Sequence, residues 1–332
     1  MRQSRRNFLN LVRQGTPAVD RCWLHINRTA MACRFEVTLP MSEQTGVAVA
    51  TDALDEVDRL ESQLTVFRES SEVSCINRRA STERVKVEQS LFDLLSLCKV
   101  LHSETRGAFD VTAGPLARAW GFLRREGRLP SNHEISEARA RVGSDKLLLD
   151  VETQTVRFAR PGMEINLGSI GKGYALDRVA SSVAGRLDNV LLNAGASSMR
   201  AVGDGERGEG WVVGLRHPRS KLRRLGVLRL RDCGLSTSGS EEQFFEHEGV
   251  RYGHIIDPRT GWPTNSVASV TVVSQSAAIS DALATAFFVG GPKLAEEYCG
   301  KHAEIMAIML ERGSNSPLIF GSNRNCDGPR DF

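Results

Sequence analysis

Two segments in the first third of the chain carry apolar residues at spacings of three and four, the period of an amphipathic helix. The first contains Val47, Ala50, Leu54, Val57, Leu60 and Leu64. The second contains Leu91, Leu94, Leu95, Cys98 and Leu101. The pattern therefore predicts a long helix over 47–64 and another over 91–101. The stretch between them, 64–78, is polar and leaves Phe67 exposed to whatever binds there.

Strands are predicted where short runs of apolar and β-branched residues lie between turn signals. Such runs occupy 34–39, 147–149, 156–158 and 305–310, and most of 211–274. The Gly-rich segment 165–185 reads as a turn into a helix, and further helices are predicted over 277–289 and 292–299. Because clusters of strands alternate with clusters of helices, the order favours an α+β fold over a doubly wound parallel sheet.

The two ends of the chain are expected to lie outside the main domain, which would span 29–312. Residues 1–28 form a basic lead-in, in which SRRNFLNLV resembles the start of a twin-arginine export signal. The apolar stretch that such a signal needs is interrupted at 13–15, which favours a short amphipathic lead-in over a working signal. Residues 313–332 are expected to form a polar, loose tail. No run of about 18 apolar residues occurs, so no membrane-spanning segment is predicted.

Composition narrows the class of function. Lys plus Arg number 43 and Asp plus Glu 40, which gives a net charge of +3, and no long basic run is found. Nucleic-acid binding is therefore not expected, and an aromatic content of 6% argues against a base-stacking surface. The seven cysteines include no CxxC pair, which favours scattered reduced thiols over a zinc site or a disulfide framework.

The segment from His254 to Val289 carries the most informative chemical pattern. It reads HIIDPRTGWP, then the strand-like SVASVTVVSQS, then AAISDALATAFFV. Asp281 and Thr285 lie four residues apart on the predicted helix, so their oxygens face the same way. A carboxylate and a hydroxyl on one face are hard oxygen ligands of the kind that Mg²⁺ prefers. His254, at the end of a strand before a turn, is the natural proton acceptor beside them, which indicates phosphate chemistry.

Each of these three residues also has a purely structural explanation. Asp281 could supply a favourable charge in the first turn of its helix, and Thr285 could bond back to the preceding turn. His254 taken alone is as easily an ordered structural residue as a catalytic one. The three together, with the glycines upstream, favour the functional interpretation.

Two further motifs allow both a structural and a binding role. The glycines of GSIGKGYALD (168–177) serve either a packing turn or a phosphate approached by backbone N–H groups, with Lys172 as its partner. The segment has neither the Walker A spacing nor a dinucleotide fingerprint. In GAFDVT (107–112), Phe109 is either core or cofactor stacker, and Asp110 either bonds a ribose or an adenine or caps a turn. No GxSxG elbow supports a serine hydrolase.

Taken together, the motifs resemble those of the ApbE family, the FAD:protein FMN transferases. The matching segments follow the family's order and cover about residues 29–310: TAMACRFEV, LTVFRESSEVSCIN, GAFDVTAGPLARAWGF, INLGSIGKGYALD, STSGS, HIIDPRTGWP and SDALATAFFVGG. Several blocks in order are far more specific than any one of them. The resemblance implies a T-fold-like, two-lobed ApbE fold with mixed, mainly antiparallel sheets flanked by helices.

The resemblance also implies an activity, which is Mg²⁺-dependent transfer of FMN from FAD to a Thr, sometimes Ser, hydroxyl of an acceptor protein, with release of AMP. His254 would be the base that activates this weak nucleophile. Mg²⁺, held by Asp281, Thr285 and the backbone carbonyl of Ser169, would offset the charge of the pyrophosphate. The FAD site would be lined by Met31, Phe67, Ala108, Phe109, Asp110, Asn166, Lys172 and Ile256.

The partners implied by the resemblance are FAD and an acceptor flavoprotein. Acceptors of the family are redox subunits with a Ser-Gly-Ala-Thr-like motif. Members of the family are commonly exported lipoproteins or periplasmic proteins. The periplasm or the inner-membrane surface is therefore the alternative to the cytoplasmic location that the interrupted N-terminal signal favours.

This chain departs from the family pattern at four places. The family usually has Met-Gly-Thr at 31–33, Tyr at Phe67, Asp at Asn166 and Asn-x-Gly-Gly-Asp at 193–197. These changes concern contacts to FAD and leave the metal pair and the base intact. Two alternative functions share the same site: a Mg²⁺-dependent FAD pyrophosphatase that gives FMN and AMP, and a non-catalytic FAD-binding protein.

Overall fold

A nine-stranded sheet forms the centre of the molecule. The structure is a computed structural model that describes residues 9–13, 22–43, 46–205, 208–220, 222–240 and 243–330. The strands of this main sheet, from edge to edge, are β1 (Leu9–Arg13), β2 (Cys22–Ala30), β3 (Cys33–Pro40), β7 (Val190–Ala194), β8 (Ser198–Val202), β11 (Gly234–Gly239), β14 (Val267–Ser274), β15 (Met306–Glu311) and β16 (Leu318–Gly321). Every neighbouring pair is antiparallel.

The described residues form seven α-helices: α1 (Gly46–Leu64), α2 (Glu72–Arg79), α3 (Gln89–Glu104), α4 (Gly114–Ala119), α5 (Asn132–Ala140), α6 (Gly171–Val183) and α7 (Ala277–Lys301). Of these, α1, α6 and α7 pack on one face of the main sheet. The apolar face of α1 is buried as its spacing predicts, and α7 packs along β11 and β14. Gly291, with a φ of 72°, and Pro292 interrupt α7, which confirms the predicted division into two helices.

The opposite face of the main sheet is covered by a smaller sheet of β9 (Trp211–Arg216), β10 (Arg224–Leu230) and β17 (Cys326–Arg330), in the order β17-β10-β9. A separate apolar cluster fills the space between the two sheets. All eight residues of β14 are buried, because helices cover one of its faces and the small sheet the other.

Two small sheets lie outside this sandwich. One contains β4 (Val85–Lys86), β6 (Thr155–Phe158) and β5 (Leu147–Asp150), and the other is the hairpin of β12 (Phe244–His247) and β13 (Val250–Gly253). Rings from the hairpin, from the segment around α4 and from the turn after β13 form an aromatic cluster of Trp120, Phe122, Phe245, Tyr252 and Trp262.

The fold confirms the predicted α+β class with mainly antiparallel sheets and corrects several boundaries. The expected tail after 312 contains β16 and β17, so it belongs to the two sheets and is not a loose segment. The boundary at 29 divides β2, which pairs along its full length with β3. The polar stretch 64–78 contains most of α2, which Ser71 caps. The paired arginines of the export-like motif lie outside the described residues. No helix in the described ranges is both long and apolar enough to cross a membrane.

Candidate active site

A cavity of about 1170 Å³ opens at one end of the main sheet. Its wall combines the β2–β3 turn, the loops 107–113 and 166–169, the first turns of α6 and α7, and the segment that follows β13. Ten of the twelve residues predicted for the site line it: Met31, Ala108, Asp110, Asn166, Ser169, Lys172, His254, Ile256, Asp281 and Thr285. Phe67 and Phe109 do not.

An acidic and a basic side chain meet where α6 and α7 approach the cavity. Asp281 is 4% exposed, and its Oδ2 accepts a hydrogen bond of 3.1 Å from the backbone N–H of Gly173. Lys172 Nζ lies 3.7 Å from Oδ1 of the same carboxylate. The first turn of α6 therefore presents both an ammonium group and a helix N-terminus to the cavity, and both attract anions.

The two helices are held together by contacts that the sequence did not reveal. A Cβ at Gly173 would lie only 2.1 Å from the carbonyl oxygen of Ala277, so only glycine allows this approach. The carboxylate of Asp177 in α6 accepts hydrogen bonds from the backbone N–H groups of Ala277 and Ala278, both at 2.9 Å. Asp177 thus caps α7 and fixes its start against α6. Its partners lie about a hundred residues away, and no local pattern indicates them.

Thr285 follows Asp281 by one helical turn, as predicted. Its Oγ1 donates to the carbonyl of Asp281 at 3.4 Å and lies 3.2 Å from Oγ of Ser238 in β11. A hydroxyl that donates to a carbonyl keeps lone pairs with which to accept or to coordinate a cation. The structural and the ligand interpretation of Thr285 are therefore compatible. Ser238 belongs to the STSGS motif but was not predicted as a site residue.

His254 lies directly after β13, where the strand enters the turn. Its backbone N–H donates to the carbonyl of Gln243 at 3.1 Å, and its Nδ1 lies 3.1 Å from the same oxygen. A carbonyl can only accept, so Nδ1 carries the proton in the neutral ring. This assignment leaves Nε2 as the nitrogen that can accept a proton, as a general base requires.

The loop 107–112 combines a cavity wall with a buried polar network. Asp110 accepts hydrogen bonds from the backbone N–H and hydroxyl of Thr112 and of Ser144, at 2.6–3.1 Å, and its Oδ2 lies 3.2 Å from His102 Nδ1. With both oxygens engaged internally, the Asp110 carboxylate has the turn-stabilising role that was one of its two predicted possibilities. The ring of Phe109 is 1% exposed and belongs to the core.

The titration of this network has a clear direction. Burial alone would raise the pKa of Asp110, but hydrogen bonds from His102 and Thr112 outweigh it and the pKa is lowered. Burial alone would lower the pKa of His102, but its contact with Asp110 outweighs burial and the pKa is raised. The two groups therefore favour the imidazolium–carboxylate pair.

Asn166 connects two walls of the cavity. Its backbone N–H donates to the carbonyl of Val111 at 2.7 Å, and its Oδ1 accepts from Gly168 N–H at 2.9 Å. It also lines a second cavity of about 300 Å³, whose wall includes Phe67. The Phe67 ring is 74% exposed, as predicted, and lies beside the main cavity without lining it.

The β2–β3 turn contributes the sequence departure at 31–33. Met31 and Ala32 have φ values of 49° and 58°, the pattern of a type I′ hairpin turn, which favours glycine or asparagine. The Met31 N–H donates to Glu61 Oε1 at 2.8 Å. Cys33 lines the cavity next to this turn, and burial raises the pKa of its thiol while Lys172 opposes the shift. All seven cysteines are free thiols.

The donor set at Asp281 suits a hard cation better than a zinc-type ion. Among the described residues, no group of three or more His, Cys, Asp or Glu side chains is arranged to hold a metal. Mg²⁺ needs fewer protein ligands, since it commonly binds one or two carboxylates together with waters and substrate phosphates. Asp281 and Thr285, a carboxylate and a hydroxyl one helical turn apart, are donors of that kind, and Ser169 lines the same cavity.

Comparison with known proteins assigns the family. The family model for the ApbE family matches residues 31–309. The chain belongs to the ApbE family. A protein of Treponema pallidum named FAD:protein FMN transferase is 34% identical over 259 residues, which cover 72% of this chain and 71% of that protein. A Vibrio cholerae protein of the same name is 31% identical over 277 residues, which cover 81% of each chain.

Solved structures of ApbE proteins share the fold. The ApbE protein of Thermotoga maritima superimposes with a TM-score of 0.82 at 29% identity, over 90% of this chain and 97% of that one. The flavin transferase ApbE of Vibrio cholerae gives a TM-score of 0.78 at 27% identity, over the same shares. The predicted ApbE-like fold is therefore confirmed.

Proposed function

We propose that the protein transfers FMN from FAD to a Thr or Ser hydroxyl of an acceptor flavoprotein and releases AMP. The observation that carries the proposal is the convergence of a proton-accepting imidazole, an ammonium group and a carboxylate–hydroxyl pair in one cavity. These groups are His254, Lys172, Asp281 and Thr285. The relatives named FAD:protein FMN transferase support the same activity.

FAD is proposed to lie along the wall formed by the predicted binding residues. Lys172 and the N-terminus of α6 would attract its pyrophosphate. Ala108, Ile256 and Met31 would contribute backbone and apolar contacts. The exposed ring of Phe67, beside the main cavity, would cover the flavin by stacking.

Mg²⁺ is proposed as the metal, held by the Asp281 carboxylate, the Thr285 hydroxyl and the backbone carbonyl of Ser169. When bound, it would neutralise charge on the pyrophosphate. The Gly173 N–H holds one oxygen of Asp281 in position, and Lys172 lies beside the other, which supports this proposal.

The reaction is a displacement at phosphorus. The acceptor hydroxyl oxygen forms a bond to the FMN-side phosphorus, and the bond from that phosphorus to the bridging oxygen breaks. His254 Nε2 takes the hydroxyl proton, and the bridging oxygen leaves on AMP. Because Nδ1 is held by the Gln243 carbonyl, the ring is oriented and Nε2 is the accepting atom.

The finer features of the partner and the location are part of this proposal. We expect the functional domain to include the predicted 29–312 together with the flanking strands. The acceptor would carry a Ser-Gly-Ala-Thr-like motif. The expected location is the cytoplasm, with the periplasm or the inner-membrane surface as the alternative.

The decisive experiment is intact-protein mass spectrometry of a Thr-containing acceptor after incubation with the protein, FAD and Mg²⁺, with an EDTA control. An FMN-sized mass gain that is lost with EDTA is expected. Free FMN and AMP without a mass gain would show FAD hydrolysis instead. The same acceptor is incubated in parallel with a Vibrio cholerae ApbE that modifies it. If FAD then stays unchanged with the present protein, both activities would be contradicted.

A further inference from the structure

The connection between β9 and β10 carries a concentrated positive charge. Residues 216–224, here called the basic loop, read RHPRSKLRR and contain five Lys or Arg residues and no Asp or Glu. Subtracting this +5 from the net charge of +3 leaves −2 for the rest of the chain. Interruption by His, Pro, Ser and Leu explains why no long basic run stands out in the sequence.

The basic loop forms part of the active-site wall. Its residues from Arg216 to Ser220 line the same cavity as His254 and Asp281. β9 belongs to the small sheet on one face of the main sheet, whereas α6 and α7 pack on the other. The loop and the candidate phosphate-binding groups therefore reach the cavity from opposite faces of the main sheet.

Hydrogen bonds hold the basic loop in position. The buried His217 accepts from Arg219 N–H through Nδ1 at 3.2 Å, and the His217 N–H donates to the carbonyl of Arg223 at 3.1 Å. The Arg219 guanidinium donates to the carbonyl of Ser314 and, at 3.0 Å, to Asn315 Oδ1. These bonds fix His217 and Arg219 relative to Arg223 and the segment 314–315, so the described part of the loop presents its charge at a fixed place.

The charges of Arg219, Arg223 and Arg224 in the basic loop are not neutralised by acidic side chains of the described residues. Elsewhere arginines pair with carboxylates, as Arg118 does with Glu164 at 2.7 Å. In the part of the chain that the structure describes, no carboxylate forms an ion pair with Arg219, Arg223 or Arg224. Burial lowers the pKa of His217, and the charges of Arg223 and Arg219 lower it further, as expected where the neighbouring charges are positive.

We propose that the basic loop docks an acidic surface that flanks the acceptor hydroxyl on the acceptor protein. The inference rests on the proposed transfer reaction, which needs a macromolecular substrate to reach this cavity. The pyrophosphate would have Lys172 and the start of α6 on the other side, so the charges of Arg219, Arg223 and Arg224 are available to the second substrate. Complementary charge at the entrance would steer association and fix the orientation of the acceptor.

An anionic membrane surface is the competing partner for the same charge, since Leu222 is 97% exposed beside the basic residues. The loop's place in the wall of the active-site cavity favours the acceptor, because a bilayer surface cannot follow the loop into the cavity. Binding measurements with peptides and with phosphatidylserine vesicles distinguish the two partners.

The test uses the full chain and three labelled peptides that share a Ser-Gly-Ala-Thr core, with flanks of Asp and Glu, of Ser and Gly, or of Lys. Binding is measured by fluorescence anisotropy at low and high salt. The variant is Arg223→Glu with Arg224→Glu, and its charge-conserving partner has Lys at both positions. The matched control is Arg157→Glu with Arg160→Glu. These arginines are exposed and line neither cavity, and replacing them causes the same change in charge.

We expect the acidic peptide to bind roughly tenfold or more tightly than the neutral one at low salt, with the preference falling as salt rises. The glutamate variant at 223 and 224 should lose this preference. The lysine variant and the control should keep it, and FAD affinity should be the same in all four proteins.

Several results would overturn the proposal. Equal binding of the three peptides, or an equal loss in the control, would remove the loop as a specific docking surface. A fall in FAD affinity confined to the glutamate variant would assign the loop to the nucleotide site. Binding to phosphatidylserine vesicles without a preference for the acidic peptide would assign it to a membrane. Because no turnover is needed, an acidic preference without flavin transfer would refute the proposed activity and not the docking surface.

Discussion

Replacing Asp177 by Ala should weaken the junction between α6 and α7 on which the candidate metal site is built. Oδ1 of Asp177 accepts from Ala277 N–H, and Oδ2 accepts from Ala278 N–H and, at 2.7 Å, from the Ser276 hydroxyl. Arg200 Nε lies 3.4 Å from Oδ1, close enough for an ion pair but without hydrogen-bond alignment. The substitution removes all four contacts at once.

The size of the effect follows from burial. Loss of a helix cap costs about 1–2 kcal/mol. Ala277 and Ala278 are 0% and 3% exposed, so their N–H groups would lose an acceptor that water cannot readily replace, at about 1–3 kcal/mol each. These contributions overlap, and we expect about 2–4 kcal/mol for Ala. Asp177→Asn keeps one acceptor oxygen and should lose about half as much.

Urea denaturation measures the loss as a fall in the midpoint at constant m-value. A parallel Mg²⁺ titration should show weaker binding, because Asp281 lies one turn into the helix that Asp177 positions. Asp188→Ala, which removes an exposed carboxylate, is the control. A change below about 0.5 kcal/mol for Asp177→Ala, the range of ordinary surface substitutions, would refute the reasoning.

Four further predictions concern the site and its surroundings. His254→Ala should lower the transfer rate by about 10²–10⁴-fold while the FAD dissociation constant stays the same, and equal transfer by the variant would remove His254 as the base. Asp281→Ala should shift the Mg²⁺ titration midpoint at least tenfold, so an unchanged titration would remove Asp281 as a ligand. Because the pKa of His102 is raised in the folded protein, its contribution to stability is fully present below about pH 6.5 and is lost as the pH rises through the raised value. Because the pKa of Asp110 is lowered, its contribution is fully present above about pH 3.8 and is lost as the pH falls through the lowered value. The destabilisation caused by His102→Gln should therefore be largest between about pH 4 and 6.5, and a pH-independent difference would contradict the pairing. Ala32→Gly should stabilise by about 0.5–1 kcal/mol because Ala32 has a positive φ, and a lower urea midpoint would show that the turn is not strained.

The elements that were predicted from sequence are those in which buried residues recur at a regular spacing along the chain. α1 shows a regular apolar face because one side of it is buried along its length, against α6, α2, β2 and β3. α2 was missed because it is short and polar, with burial confined to three residues and a start that depends on Ser71. β16 was missed because it is an edge strand with mostly exposed side chains, so no alternation marks it.

The candidate site likewise contains residues that could be predicted from the sequence and residues that could not. Asp281 and Thr285 were predicted because helix geometry alone places them on one face. The internal role of the Asp110 carboxylate could not be chosen over ligand binding, because Ser144 and His102 approach it only in the folded chain. Gly173 and Asp177 lie in a recognised motif, yet their function depends on α7, which the sequence does not place beside them.

The order of strands in the main sheet has a consequence for synthesis on the ribosome. Met31 lines the same cavity as Asp281 and Thr285. These residues are separated by roughly 250 residues in the sequence, which take about 10–50 s to synthesise. The β2–β3 hairpin can form early, but β11 and β14, which hold α7, join the sheet only later. A nascent chain therefore lacks the complete candidate site during most of translation. If the cavity binds FAD as proposed, binding has to follow the synthesis of α7, and a chain that terminates before α7 lacks the wall formed by Asp281 and Thr285.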